Sequence, residues 1–308
     1  MSRASPFDPR YYQIAVLGLL VVYGLGRLDF EIGFTRTLLI LLTTLLAQAA
    51  CTWAWKLPAY DARSALISAL SLCLLLRTNS PAVALAACVV TIGSKFVLRA
   101  RGKHLFNPTN FGLVAMMATT DQVCVSPGQW GNAAFFGFLM ACLGGIVVNR
   151  AARSDVTFTF LISYAAMLAA RSLWLGEPLS IPIHRLQSGA LLLFSFFMIS
   201  DPKTTPDSRA GRILFALLVA AGAWYVQFGL FRTNGLLWSL ALFSTTVPFI
   251  DRMLPGERYE WTRPLPRPAW QPRGGSHDSL AVCGSDSRHP VVLRRGATRL
   301  LRLLPHKG

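Results

Sequence analysis

Apolar runs of roughly membrane length recur along this chain, separated by short loops that hold Pro, Gly, Asn and much of the charge. Such a pattern can fold as a helical bundle in a bilayer, where every backbone polar group is satisfied within its own helix. As a water-soluble globule it would need far more charge to cover its surface. Composition agrees: of 308 residues, 53% are hydrophobic and 14% charged, with a mean hydropathy of +0.45. The recurrence of the runs excludes one soluble domain held by a single anchor.

Ten spans are predicted, at 11–26, 35–55, 62–76, 82–98, 110–119, 130–148, 157–174, 186–199, 213–230 and 235–250. The third, fifth and eighth are short. Short hydrophobic segments mark half-helices that line a site, or helices shielded inside a bundle with no functional reason to be longer. The apolar run after Arg10 is not closed by a small-residue cleavage site, so it reads as a retained first span and not a signal peptide.

With the N-terminus inside, twelve Lys and Arg residues fall in inner loops and six in outer ones, leaving the tail aside. The bias predicts both termini in the cytoplasm. The formal net charge of +16 is then explained by topology and by anionic lipid head groups, without nucleic acid as a partner. Lys95, one turn from the inner end of its span, is expected to snorkel to the surface. The six cysteines are scattered, with no Cys-x-x-Cys pair, so neither a metal site nor an iron–sulfur cluster is expected within this chain.

A faint internal repeat lays Ser64 to Ser71 on Ser188 to Ser195, and Phe106 to Gly112 on Phe231 to Gly235 with two residues skipped. Its offset is about half the membrane domain. Five spans per half is an odd number, so the halves would be inverted and would meet around a ligand near the midplane.

Two polar segments carry the chemistry. In Gly102 to Gly112, Pro108 suits a first helical turn, whose free N–H groups face an anionic or polar group. Asn107 and Asn110 offer amides able to read a heterocycle edge; equally, Asn107 can simply cap the helix. In Ser200 to Arg212, Asp201-Pro202 stops a helix and a new one starts after a turn. Asp201 stands at the inner end of a span, where a carboxylate needs a partner; Lys203, Arg209 and Arg212 are the candidates.

Phe106-Asn107-Pro108 ahead of a short apolar helix, with Asp201-Pro202-Lys203-Thr204-Thr205-Pro206 and then Gly211-Arg212, resembles the D subunit of the Rnf electron-transfer complex and the B subunit of the sodium-pumping NADH:quinone reductase. The resemblance covers roughly residues 11–252. It implies an all-α integral membrane fold of about ten helices in two inverted five-helix repeats, similar to urea transporters. It also implies a bacterial inner-membrane location, a flavin, and partner subunits carrying flavin or iron–sulfur groups, in a complex that couples electron flow to Na⁺ or H⁺ movement. Carried over by motif, Asn107, Pro108, Asn110 and Gly112 shape one side of a flavin or ion site, and Asp201, Thr204, Thr205 and Arg212 the other.

One departure matters. The family tethers FMN through its phosphate to the threonine of a Ser-Gly-Ala-Thr-like motif after the fifth span, and the loop 120–129 here contains no such motif. The expectation is therefore a flavin, FMN or riboflavin, held non-covalently between the halves, since isoalloxazine needs mainly an apolar slot with a few amide and hydroxyl partners. Cys124 in that loop reads as an ordinary loop thiol.

The expected organisation is a short cytoplasmic N-terminus (1–10), a membrane domain (11–252, with halves at about 11–129 and 130–252) and a basic, disordered cytoplasmic tail (253–308) rich in Arg, Pro, Gly and Ser. Beside the redox function, two alternatives stay open: a small-solute channel or carrier of the same fold, and a structural membrane subunit without cofactor.

Overall fold

The computed structural model describes residues 8–27, 33–126 and 143–259. They are mostly helical. In chain order the helices are α1 (Pro9–Arg27), α2 (Phe34–Ala54), α3 (Ala62–Leu75), α4 (Pro81–Val97), α5 (Pro108–Thr119), α6 (143–150), α7 (Ser154–Leu175), α8 (Ser180–Leu186), α9 (Gly189–Leu193), a π-helical turn (Phe194–Met198), α10 (Arg209–Phe228), α11 (Gly235–Ser244) and α12 (Val247–Met253). Two short antiparallel pairs join β1 (Leu76–Arg77) to β4 (Cys124–Val125) and β2 (Arg99–Ala100) to β3 (Lys103–His104).

Among the described residues, α2, α7 and α10 are long and apolar enough to cross a membrane, while α3, α4, α11 and the α9–π segment are shorter apolar helices. The expected eighth span, 186–199, is a short helix, Gly189–Met198, in which α9 passes directly into the π turn. Most of the expected sixth span, and the tail from residue 260, lie outside the described residues.

The distribution of side chains on the long helices is that of a lipid-facing bundle. On α2, Leu38, Leu42 and Leu46 are exposed, whereas Thr37, Thr44 and Gln48 are buried with Ile40. On α7, Phe158 and Ile162 point outward while Thr157, Tyr164 and Ser172 are inside. A water-soluble helix would reverse this arrangement, because water, unlike lipid, penalises exposed leucine stripes.

Helix starts follow their capping residues. Asp61, Ser80 and Asn107 each accept a bond from the backbone N–H three residues on, at 3.3, 3.4 and 3.1 Å, ahead of α3, α4 and α5. Pro81 and Pro108 occupy the first turns of α4 and α5. Ser208 caps α10 in the same way, at 3.1 Å from the Gly211 N–H.

Packing falls into two sets. α2 lies on α3 and α4, and α4 on α5; further along, α7 lies on α10, and α10 on α11. α5 and α11 join the sets: Asn110 Nδ2 donates to the Leu237 carbonyl at 3.2 Å. Gly112 belongs to the α4–α5 contact, where a Cβ would overlap the Thr91 hydroxyl, so only glycine permits this approach. α3 is buried along nearly its whole length from Ser68, and so is the π turn, which makes these short helices the shielded centre of the bundle.

Candidate functional site

A cavity of about 440 Å³ opens at the basic end of the bundle. One wall is α3, which presents Ser64, Ile67, Ser68 and Ser71; the spacing places the three hydroxyls on one helix face. The opposite wall is the start of α5, with Asn107, Pro108 and Thr109, and the end of the π turn, with Phe197, Met198 and Asp201. Arg10, Tyr60, Asp61, Arg63, His104 and Lys203 ring the rest.

The π turn decides how Asp201 reaches this cavity. The Thr157 hydroxyl donates to the Ser195 carbonyl at 2.8 Å, and the Ser200 hydroxyl to the Phe196 carbonyl at 2.5 Å, which satisfies carbonyls displaced from the regular ladder. Asp201 then accepts the Lys203 N–H on one carboxylate oxygen at 3.0 Å and the Asn107 amide on the other at 3.4 Å. Asn107 Nδ2 also donates to the Met198 carbonyl at 3.4 Å. The two sequence segments therefore meet, and Asn107 acts both as cap and as cross-link. Burial pushes the Asp201 carboxyl above its ordinary range, against the opposing pull of the Lys203 N–H and of the positive charges on Lys95, Lys203 and Arg153.

The structure divides the eight site residues expected from sequence. Asn107, Pro108 and Asp201 line the cavity. Asn110 is fully buried and turned toward α11, with its Oδ1 lacking a hydrogen-bond partner, and Gly112 faces α4. Thr204 donates to the Asp201 carbonyl at 3.3 Å, and Thr205 accepts from Arg153 Nε at 3.1 Å; both threonines are buried. Arg212 does not pair with Asp201. It closes on Asp155 at 2.8 and 2.6 Å and on the Asp207 carbonyl at 2.8 Å, because the first turn of α10 packs against the first turn of α7.

Lys95 also departs from expectation. It does not snorkel: it is 5% exposed and donates to the Ser64 carbonyl at 3.0 Å and to Ser64 Oγ at 2.9 Å. α4 packs with this face inward, so the ammonium finds the first turn of α3 before it finds water. His104 Nδ1 lies 3.1 Å from the Lys95 carbonyl. Its burial, with Lys95, Arg99 and Lys203 adding positive charge, holds the imidazole down at about 4.

Sequence reasoning missed Ser68, Ser71 and Thr109. The first two belong to a Ser-x-x-x-Ser-x-x-Ser spacing, which was legible only as part of a repeat. The hydroxyls of Ser71 and Thr109 make no hydrogen bond among the described residues and line the cavity. A second layer of ion pairs braces this end: Arg10 with Asp8 at 2.6 Å and Asp61 at 2.9 Å, and Lys103 with Asp207 and Asp251 at 2.9 Å each. After α12 the chain crosses back, with the Tyr259 ring 4.9 Å from the Arg153 guanidinium and the Arg258 guanidinium 2.6 Å from the Arg101 carbonyl.

Lipid-facing apolar helices around a cavity of mixed polar and apolar lining define a helical integral membrane protein. Residues 123–260 match the NQR2, RnfD, RnfE family, and the RnfD-like resemblance carried by Asp201 to Arg212 holds over that stretch. Across 126 residues the chain is 30% identical to the D subunit of the ion-translocating oxidoreductase complex of Citrobacter koseri, and 31% identical to its counterparts in Escherichia coli and Shigella dysenteriae. Each match covers 40% of this chain and 34% of the relative, so the chain spans about a third of the length of the curated relatives it matches.

Proposed function

We propose that this protein is the membrane subunit of an electron-transfer complex that couples redox chemistry to Na⁺ or H⁺ movement, and that its cavity seats a non-covalent flavin. The observation that carries the reading is the meeting of Asn107-Pro108-Thr109 and Phe197-Met198-Asp201 on one cavity of about 440 Å³. That volume lies in the ~300–1,000 Å³ range of small-molecule sites. The donor set suits an isoalloxazine ring: Ile67, Pro108, Phe197 and Met198 offer apolar faces, and Ser68, Ser71 and Thr109 offer hydroxyls at the edge. When bound, flavin supplies one- and two-electron chemistry that no side chain here provides. The chain's own residues hold the ring, exclude lipid and fix Asp201 beside it.

The location fits two inverted halves. Ser80 and Ser208 cap corresponding helices, α4 and α10. Arg101 and Phe231 take the same left-handed conformation, φ 51° and 52°, in the loops that lead to α5 and α11. The packing of α2 on α4 and of α4 on α5 is matched by that of α7 on α10 and of α10 on α11. On the charge count, the cavity opens to the cytoplasm, where soluble flavin or iron–sulfur partners would deliver electrons.

The test is a visible spectrum of the purified protein, acid extraction of flavin, and mass analysis for a covalent adduct. Flavin released by acid from a chain of unmodified mass is the expected result. No flavin absorbance, together with solute flux into proteoliposomes that needs no reductant, would replace this reading with a carrier.

A further inference from the structure

Lys95 is a buried lysine in a membrane helix, and its two hydrogen bonds both go to Ser64. It pairs with no carboxylate among the described residues. Such a charge is costly unless something offsets it, and a membrane protein retains one where it acts on a bound group.

The surroundings say where the charge is directed. Ser64 lines the cavity, and Lys95 stands directly behind it. Asp61, the nearest acid in sequence to Ser64, caps α3 through the Ser64 N–H and is held by Arg10 at 2.9 Å. Arg63 is held by Asp8 at 3.1 Å. Arg10 and Arg63 are thus matched by Asp8 and Asp61, while the Lys95 ammonium has Ser64 as its only hydrogen-bond partner among the described residues. The Lys95 ammonium is buried behind Ser64, sheltered from water, where charge acts at longer range.

We infer that Lys95, through Ser64, makes this cavity a site for an occupant that carries or acquires negative charge, and that it is the positioning residue that favours a reduced flavin over an oxidised one. The inference rests on the flavin reading above. Reduction of isoalloxazine by two electrons and one proton leaves one negative charge on the ring; an electron-carrying partner would supply the electrons in a complex, and dithionite supplies them in the test. An ammonium held by Ser64 at the cavity wall stabilises that charge and has little to offer the neutral oxidised ring.

The experiment compares the full chain in detergent, as wild type, Lys95→Met, Lys95→Arg and Ser64→Ala. Riboflavin affinity is read by fluorescence quenching, and the two-electron midpoint by dithionite titration against redox dyes. Lys95→Met is expected to bind oxidised riboflavin within about threefold of wild type, yet to lose about tenfold in preference for the reduced form, a fall of about 30 mV in the midpoint. Lys95→Arg should restore most of it, and Ser64→Ala should fall in the same direction by less. If Lys95→Met does not survive purification, Ser64→Ala decides. A flavin-loaded variant, Lys95→Met or else Ser64→Ala, with the wild-type midpoint would overturn the inference and leave the flavin reading standing. A wild-type protein that holds no flavin and binds no riboflavin would overturn both.

Discussion

Lys103 and Asp251, 148 residues apart in the chain, meet at 2.9 Å. The same ammonium lies 2.9 Å from Asp207 and 2.8 Å from the Thr205 carbonyl. A hairpin between α4 and α5 is thereby fixed to the loop before α10 and to α12, next to the cavity.

Lys103→Met would leave Asp207 and Asp251 close together without their shared cation. All three side chains are largely buried, so the loss should resemble a broken buried ion pair, about 3 kcal/mol. Thermal unfolding in detergent measures it. The triple variant Lys103→Met, Asp207→Asn, Asp251→Asn should regain much of the loss, because no buried charge remains unpaired.

Asp201 gives a second expectation. Its carboxyl titrates above the ordinary value of 3.8 because it is buried, so the folded state binds the proton more tightly than the unfolded chain. The stabilisation from this group is complete below 3.8 and is lost as pH rises through the folded value. At pH 7, Asp201→Asn should therefore melt no lower than wild type, while Asp201→Ala, which cannot accept the Lys203 N–H, should melt lower. Both variants should insert in the membrane, and Asp201→Ala should retain less flavin. An alanine variant identical to wild type in melting and in flavin content would remove Asp201 from the site.

His104 works in the opposite direction. Burial, and the positive charges of Lys95, Arg99 and Lys203, depress its value from 6.5 to about 4. The stability linked to the neutral ring is present above 6.5 and is lost as pH falls through about 4. Melting temperature should drop across that window, and His104→Gln, which keeps a polar partner for the Lys95 carbonyl, should flatten the drop.

Gly112→Ala forces a methyl group into the Thr91 side chain. Overpacking of this kind costs about 1–3 kcal/mol. Adding Thr91→Ala should recover part of the loss by removing the hydroxyl, which itself has no partner. Unchanged thermal stability in Gly112→Ala would mean that α4 and α5 are not in close contact.

Much of the fold was legible because it follows from local rules. Asn107 and Pro108 announced the start of α5, and Asp201-Pro202 the end of the helix before it. The π-helical winding of Phe194–Met198 was not legible, since Ser195 and its apolar neighbours read as an ordinary helix. A π turn depends on which distant hydroxyl, here Thr157, takes up the displaced carbonyl. The choice of partners was equally hidden. Asp201 had three basic residues within reach in sequence, and α10 directs Arg212 to Asp155 instead.

The apolar runs by themselves determined that this chain must satisfy its backbone in helices surrounded by lipid, because that constraint acts on each segment separately. The Asn107 and Asp201 segments likewise marked themselves as unusual by placing polar groups at helix ends. Which of their side chains share a cavity, and which merely hold helices together, was decided only by tertiary structure. Burial and ion pairing join residues from distant parts of the chain, and the direction in which α4 faces turned Lys95 from an expected surface anchor into a charge enclosed behind Ser64.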